Sequence, residues 1–171
     1  ILKILRKKKN KNFNYFKKAI KLLNKIQKIK NIRVKTFQNK IYKIPKYDGK
    51  ILIKEANLFC DWYVKKKLPR IKKKNFSKKF KKIIKILTSR LKLKNDVFVH
   101  RDFHISNLML VKNQIGVIDS QDALIGNKAY DLASLIDDVR FKTPKTLKNQ
   151  IFNYYVKKQK KLNFNNENRR T

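Results

Sequence analysis

Between residues 97 and 119 the hydrophobic period of this chain switches from helical to strand-like, and that switch restricts the folds open to it. Three short runs, VFVH at 97–100, LMLV at 108–111 and IGVID at 115–119, are largely apolar or β-branched and read as small strands. The turn-like KNQ between the last two predicts a hairpin. Upstream, Phe13, Phe16, Ile20, Leu23 and Ile26 or Ile29 recur at helical spacing with lysines between them, which predicts an amphipathic helix over 13–29. Pro45 and Gly49 interrupt that pattern, and Asp48 stands where it can cap a second helix from about 50 to 67. That helix is expected to bury Ile51, Leu52, Leu58, Phe59 and Trp62 or Tyr63, and Pro69 follows its end. A third helix, about 77–91, uses Phe80, Ile83, Ile84 and Leu87. Helical spacing returns in AYDLASLIDDVR, 129–140, and in a last helix over about 146–161, with a frayed tail at 162–171. Without repeats or a linker, residues 1–171 read as one unit, α+β and mainly helical, with a small β insert.

At 171 residues and 42% hydrophobic content, the chain can build its own core. Its charge balance is extreme, with 47 Lys+Arg against 11 Asp+Glu and a formal net charge of +36, which invites a nucleic-acid or anionic-membrane reading. The positive charge is mostly lysine, however, spread along almost the whole chain beside abundant Ile and Asn. These are the residues of A/T-rich codons, so genome bias accounts for the excess without a function. A dedicated nucleic-acid binder concentrates arginine, aromatics and glycine in one motif, and no RRM, KH, zinc-finger or basic-zipper signature is present. Nonspecific polyanion binding at low salt is expected from charge alone.

The single cysteine, Cys60, excludes an intramolecular disulfide framework and a Cys-based zinc site. No apolar run approaches the roughly 18 residues of a membrane span, and the charged start is too short for a signal peptide. A cytoplasmic protein without a membrane partner is the expectation.

The polar string HRDFHISN, His100 to Asn107, lies between two strand ends, where loops present side chains. Phosphoryl transfer needs a carboxylate that orients or accepts the proton of the attacking hydroxyl, and oxygen ligands that hold Mg²⁺ against the nucleotide phosphates. Asp102, Asn107 and, at the end of the hairpin's second strand, Asp119 supply those three groups.

The spacing His-Arg-Asp, four residues, Asn, then a strand-terminal Asp resembles the catalytic and metal-binding loops of the protein-kinase-like fold. The wider string VHRDFHISNLMLV…IGVIDSQDALIGNKAYDLASLIDD is similar to the aminoglycoside phosphotransferase and choline kinase branch. Within that branch it most resembles bacterial kinases of cell-wall recycling that phosphorylate the anomeric hydroxyl of N-acetylmuramate and N-acetylglucosamine. KEANLFCDWYVKKKL, 54–68, is similar to the same subgroup, and the resemblance covers about 40–140.

The resemblance implies the C-terminal lobe of a protein-kinase-like fold, with a small β hairpin carrying the catalytic and metal loops. It also implies an ATP- and Mg²⁺-dependent phosphotransferase acting on a hydroxyl of a small sugar or amino sugar. The alternatives are an aminoglycoside, choline, ethanolamine or homoserine acceptor, or a non-catalytic basic lobe that binds nucleic acid. Cationic acceptors call for a carboxylate-rich pocket, which 11 acidic residues supply poorly.

Residue by residue, the resemblance implies Asp102 as catalytic base and Asn107 and Asp119 as Mg²⁺ ligands. His100 and Arg101 are implied as loop scaffold, His104 as a hydrogen-bonded loop histidine or a substrate contact, and Asp131 as the acceptor of backbone N–H groups from the catalytic loop. Gln121 and Asp122 flank the metal loop, Asp122 as a supporting group or a plain turn residue. Glu55, Asp61 and Trp62 either line a sugar pocket or serve on the surface and in the core of their helix.

Two departures stand out. Ser120 occupies the place of an aromatic in the subgroup, removing a packing contact beside Asp119. Glycine occurs only at 49, 116 and 126, so the glycine-bearing strands that cover nucleotide phosphates in kinase-like folds are absent from this sequence. Together with the Ile1 start, this creates the expectation of a longer kinase whose nucleotide-binding lobe lies upstream in the same gene or in a split partner.

Overall fold

The computed structural model describes residues 1–7, 12–30, 32–91 and 94–167, with side chains through 159. The element order is α1 (Leu2–Lys7), α2 (Asn12–Ile26), β1 (Arg33–Lys35), β2 (Ile41–Lys43), α3 (Gly49–Leu58), a π turn (Phe59–Val64), α4 (Lys65–Lys67) and α5 (Arg70–Arg90). Then follow β3 (Val97–Val99), a 3₁₀ turn (Ile105–Asn107), β4 (Leu108–Val111), β5 (Gln114–Val117), β6 (Leu124–Gly126), α6 (Tyr130–Ile136) and α7 (Lys145–Glu167). The described chain is helix-rich, with three two-stranded antiparallel ladders, β1–β2, β3–β6 and β4–β5.

The core forms where α2, α6 and α7 close over the β4–β5 hairpin. α2 contributes Phe16, Ile20, Leu23 and Ile26, the stripe read from its helical period, whereas Ile29 lies past the helix end and is exposed. Leu135 and Ile136 of α6 and Ile151 and Tyr155 of α7 complete the helical side. The β4–β5 register pairs Leu108 with Val117 and Val111 with Gln114 around a two-residue turn. Both turn residues, Lys112 and Asn113, adopt positive φ, as a tight hairpin of this twist requires.

Several sequence expectations need correction. The second helix does run from 49 to 67, capped by Asp48, whose carboxylate accepts from the N–H of Lys50 at 2.9 Å and Ile51 at 3.0 Å. Its buried face differs from the expected one. The π turn inserts extra backbone into the helical register, so Cys60 and Val64 turn inward while Leu58, Phe59, Trp62 and Tyr63 are left exposed. The third helix starts at Arg70 and not near 77, because Pro69 suits a helix start and lysines are good helix formers.

Ile83 and Leu87 of α5, expected in a core, are more than half exposed, and neither α3 nor α5 contains a fully buried residue. The π turn packs on α5 through Phe59, whose ring centroid lies 6.2 Å from that of Phe76 and 5.5 Å from that of Phe80. Two ladder components were not foreseen. β1–β2 is exposed at every position, so it shows no alternation to read. β6 is a three-residue run that pairs with β3 to give a second antiparallel ladder. α7 continues from the expected helix through 167, and the rest of the tail, 168–171, lies outside the described residues.

Candidate active site

The catalytic-loop string alternates between core and surface. Phe103, Ile105 and Leu108 are fully buried, and burying each such side chain contributes roughly 1.5–3 kcal/mol. The intervening Asp102, His104 and Asn107 are thereby left half-buried at the rim. Apolar anchors below and polar groups above are what let a loop hold a fixed geometry outside regular structure.

The hairpin register then gathers the other groups. Beyond the Leu108–Val117 pair, the N–H of Ile118 donates to the carbonyl of Asn107 at 3.1 Å, so Asn107 and Asp119 meet at the open end of one hairpin. The side-chain amide of Asn107 donates to the backbone carbonyl of Asp102 at 3.2 Å, leaving its own oxygen uncommitted. Gln121 donates to one Asp119 oxygen at 2.8 Å, and the second oxygen is uncommitted. No described protein group bonds the Asp102 carboxylate.

Two residues of the string are left-handed, Arg101 with φ 74° and Asp119 with φ 75°. Non-glycine residues reach that region only where surrounding bonds compensate for the strain. For Arg101 the compensation is visible. Asp131, fully buried in the first turn of α6, accepts from the backbone N–H of His100 at 2.8 Å and of Arg101 at 3.0 Å. Burial pushes the Asp131 carboxyl up to about 6, against the opposing pull of those two N–H bonds.

His100 is buried edge-on against Phe103 at 6.2 Å. Burial holds its pKa below the ordinary imidazole range, opposed by the Asp102 and Asp119 charges, so it is neutral scaffold near pH 7. His104 contributes backbone: its N–H donates to the Asp102 carbonyl at 2.9 Å, and its carbonyl accepts from the Asn107 N–H at 3.0 Å.

One residue escaped the sequence reading. Asp138, just past α6, accepts from the N–H of Ile105 at 2.9 Å and so fastens the segment between Asp102 and Asn107 from below. The sequence offered only the oddity of a carboxylate beyond a helix C-terminus, where it opposes the helix dipole; its partner Ile105 is apparent only in the fold.

Other sequence candidates fall elsewhere. Glu55 is engaged by the Arg101 guanidinium and by the Tyr47 hydroxyl, so both its oxygens are committed within the protein. Asp61 is exposed, and Trp62 is 65% exposed in the π turn, where the Lys66 ammonium sits 5.6 Å from its ring. Asp122 is exposed and offers only its backbone carbonyl, to Arg101 at 3.4 Å.

A match over residues 5–163 to the phosphotransferase enzyme family covers nearly the whole chain. The chain belongs to that family. Among curated family relatives, the N-acetylmuramate/N-acetylglucosamine kinase of Neisseria meningitidis serogroup B is 40% identical over 95 residues, covering 56% of this chain and 28% of its own. The enzyme of the same name from Pseudomonas aeruginosa is 36% identical over 115 residues, 67% of this chain and 34% of its own. That from Pseudomonas putida is 33% identical over 95 residues, 56% of this chain and 28% of its own. The chain thus spans about a third of the length of the curated relatives it matches.

The residues present fit a magnesium nucleotide better than a free-standing metal. No described group of three or more His, Cys, Asp or Glu residues could hold an ion by itself. Asn107 and Asp119 each keep an uncommitted side-chain oxygen at the open end of the hairpin, and Mg²⁺ is characteristically held by one or two carboxylates together with substrate phosphates.

Proposed function

We propose that this chain carries the catalytic and metal loops of an ATP-dependent small-molecule kinase, with a hydroxyl of N-acetylmuramate or N-acetylglucosamine as acceptor. The observation that carries the reading is the open hairpin end, where Asn107 and Asp119 adjoin a loop presenting an uncommitted Asp102 carboxylate. In that reading Asp102 accepts the proton of the sugar hydroxyl as its oxygen bonds to the γ-phosphorus and ADP departs. Asn107 and Asp119 would hold Mg²⁺, which when bound offsets the negative charge of the phosphates. Asp131 and Asp138 keep the loop in register while Phe103 and Ile105 seat it in the core.

The names of the relatives support an amino-sugar acceptor, and so does the commitment of Glu55 within the protein. A cationic aminoglycoside or choline would need free carboxylates beside Asp102. The three glycines provide no phosphate-covering loop, so nucleotide coverage must come from further polypeptide, in the same chain or a partner. In this reading the reaction runs in the cytoplasm, where ATP is available.

The test is Mg-ATP-dependent ADP release by the full-length gene product, offered N-acetylmuramate, N-acetylglucosamine, an aminoglycoside and choline in turn. Turnover is expected on the amino sugars alone. Asp102→Asn should lower kcat by about 100-fold or more with nucleotide affinity retained, whereas Asp119→Ala should weaken both. Near-normal turnover by Asp102→Asn would remove the base assignment, and turnover on choline alone would replace the acceptor.

A further inference from the structure

The residue immediately before Asp102 ties three separate parts of the fold together through its side chain. The Arg101 guanidinium pairs with Glu55 on α3, donates to the carbonyl of Asp122 beyond the metal loop at 3.4 Å, and lies 5.8 Å from the centroid of the Tyr47 ring. Tyr47 is buried, donates its hydroxyl to Glu55, and meets Tyr130 at the head of α6 edge-on at 5.3 Å. Its backbone is fixed as well, with its N–H donating to Ile125 of β6 at 2.8 Å and its carbonyl accepting from Asn95 at 2.7 Å. Glu55 and Arg101 are both about three-quarters shielded from solvent, so their pairing is less screened than a surface ion pair.

We infer that Glu55 is a positioning residue that sets Asp102 through Arg101, and does not bind the sugar. This rests on the kinase reading of the site. The left-handed backbone of Arg101 turns the chain so that Asp102 faces the rim, and Asp131 fixes only the backbone side of that turn. Glu55 fixes the other side by holding the guanidinium, and Tyr47 holds Glu55. Because Glu55 belongs to α3, a displacement of that helix is transmitted to the residue beside the base. With Arg101 on one oxygen and Tyr47 on the other, the Glu55 carboxylate is held from both sides by protein donors, which fixes its orientation toward the guanidinium.

A double-mutant cycle in the full-length gene product separates this role from substrate binding. Glu55→Gln, Arg101→Gln and the pair are assayed for kcat and for KM of the amino sugar, with amide hydrogen exchange read over 97–111 in each protein. Positioning predicts that Glu55→Gln lowers kcat at least about 10-fold, roughly 1.4 kcal/mol, with KM of the sugar nearly unchanged. The double variant should then be no worse than Arg101→Gln alone. Exchange in 97–111 should rise while that of α2 and α7 stays protected, a readout that needs no catalysis. Multiplying losses with a raised sugar KM, or unaltered exchange in the Glu55→Gln loop, would overturn the inference. If the unsubstituted protein shows no turnover, the kinase reading fails, and the exchange result alone still decides whether Glu55 orders the loop.

Discussion

Asp131 shows how one buried carboxylate couples loop order to pH. Its carboxyl is raised from 3.8 to about 6, so the native state holds that proton more tightly than the unfolded chain does. The stability contributed by this titration is therefore fully present below the unfolded value and is lost as pH rises through about 6. Loop order runs the other way, since a protonated carboxyl is a poorer acceptor for the N–H groups of His100 and Arg101. Asp131→Asn removes the titration. The unfolding midpoint of the unsubstituted protein, relative to that variant, should fall between about pH 4 and pH 6.5 and then level off. Turnover should climb over the same interval. A difference that stays flat across the interval would show that Asp131 does not titrate there. Asp131→Ala is the harsher change, as it leaves the buried N–H of His100 unpaired at a cost of about 1–3 kcal/mol and strips the partly buried N–H of Arg101 of its acceptor.

Among the elements, stability is concentrated on one side of the structure. Leu23 of α2 and Ile151 of α7 are completely buried, so truncating either to alanine should cost about 2–5 kcal/mol. Leu87 of α5 is more than half exposed, and Leu87→Ala should stay within about 0.5 kcal/mol. Denaturant unfolding of the three variants checks the contrast, and equal losses at Leu87 and Leu23 would contradict it. The same division explains what could be read from sequence. The α2 stripe was legible because one face of that helix is buried, which imprints a period on its residues, and the β4–β5 hairpin because two short apolar runs flank a turn-like KNQ. α5 also carries a helical apolar period, though a weaker one than α2, and its apolar positions stay largely open to solvent, which periodicity alone does not reveal. The π turn was invisible because no residue type encodes a wide turn. In the site, the spacing of Asp102, Asn107 and Asp119 was legible since one short hairpin brings them together. The bonds of Asp138 to Ile105 and of Glu55 to Arg101 join residues 33 and 46 positions apart, and only the folded chain reveals them.

On the scale of the whole molecule, a large positive charge coexists with poorly covered apolar helices. α5 has no acidic residue, and Ile71, at 81% exposure, Ile83, Ile86 and Leu87 are open to solvent among its lysines. At low ionic strength the +36 charge keeps copies apart, because repulsion acts over a Debye length of about 30 Å at 0.01 M salt. At 1 M salt that range shrinks to about 3 Å, short enough for exposed isoleucines and leucines to meet. Added salt should therefore free the protein from polyanions and at the same time promote its self-association. Light scattering against sodium chloride would show this as a rise that Ile83→Ser/Leu87→Ser abolishes; scattering independent of salt would refute it. The lysines, whatever their origin in codon usage, then act as a colloidal stabiliser, an electrostatic coat whose thickness is set by the surrounding electrolyte.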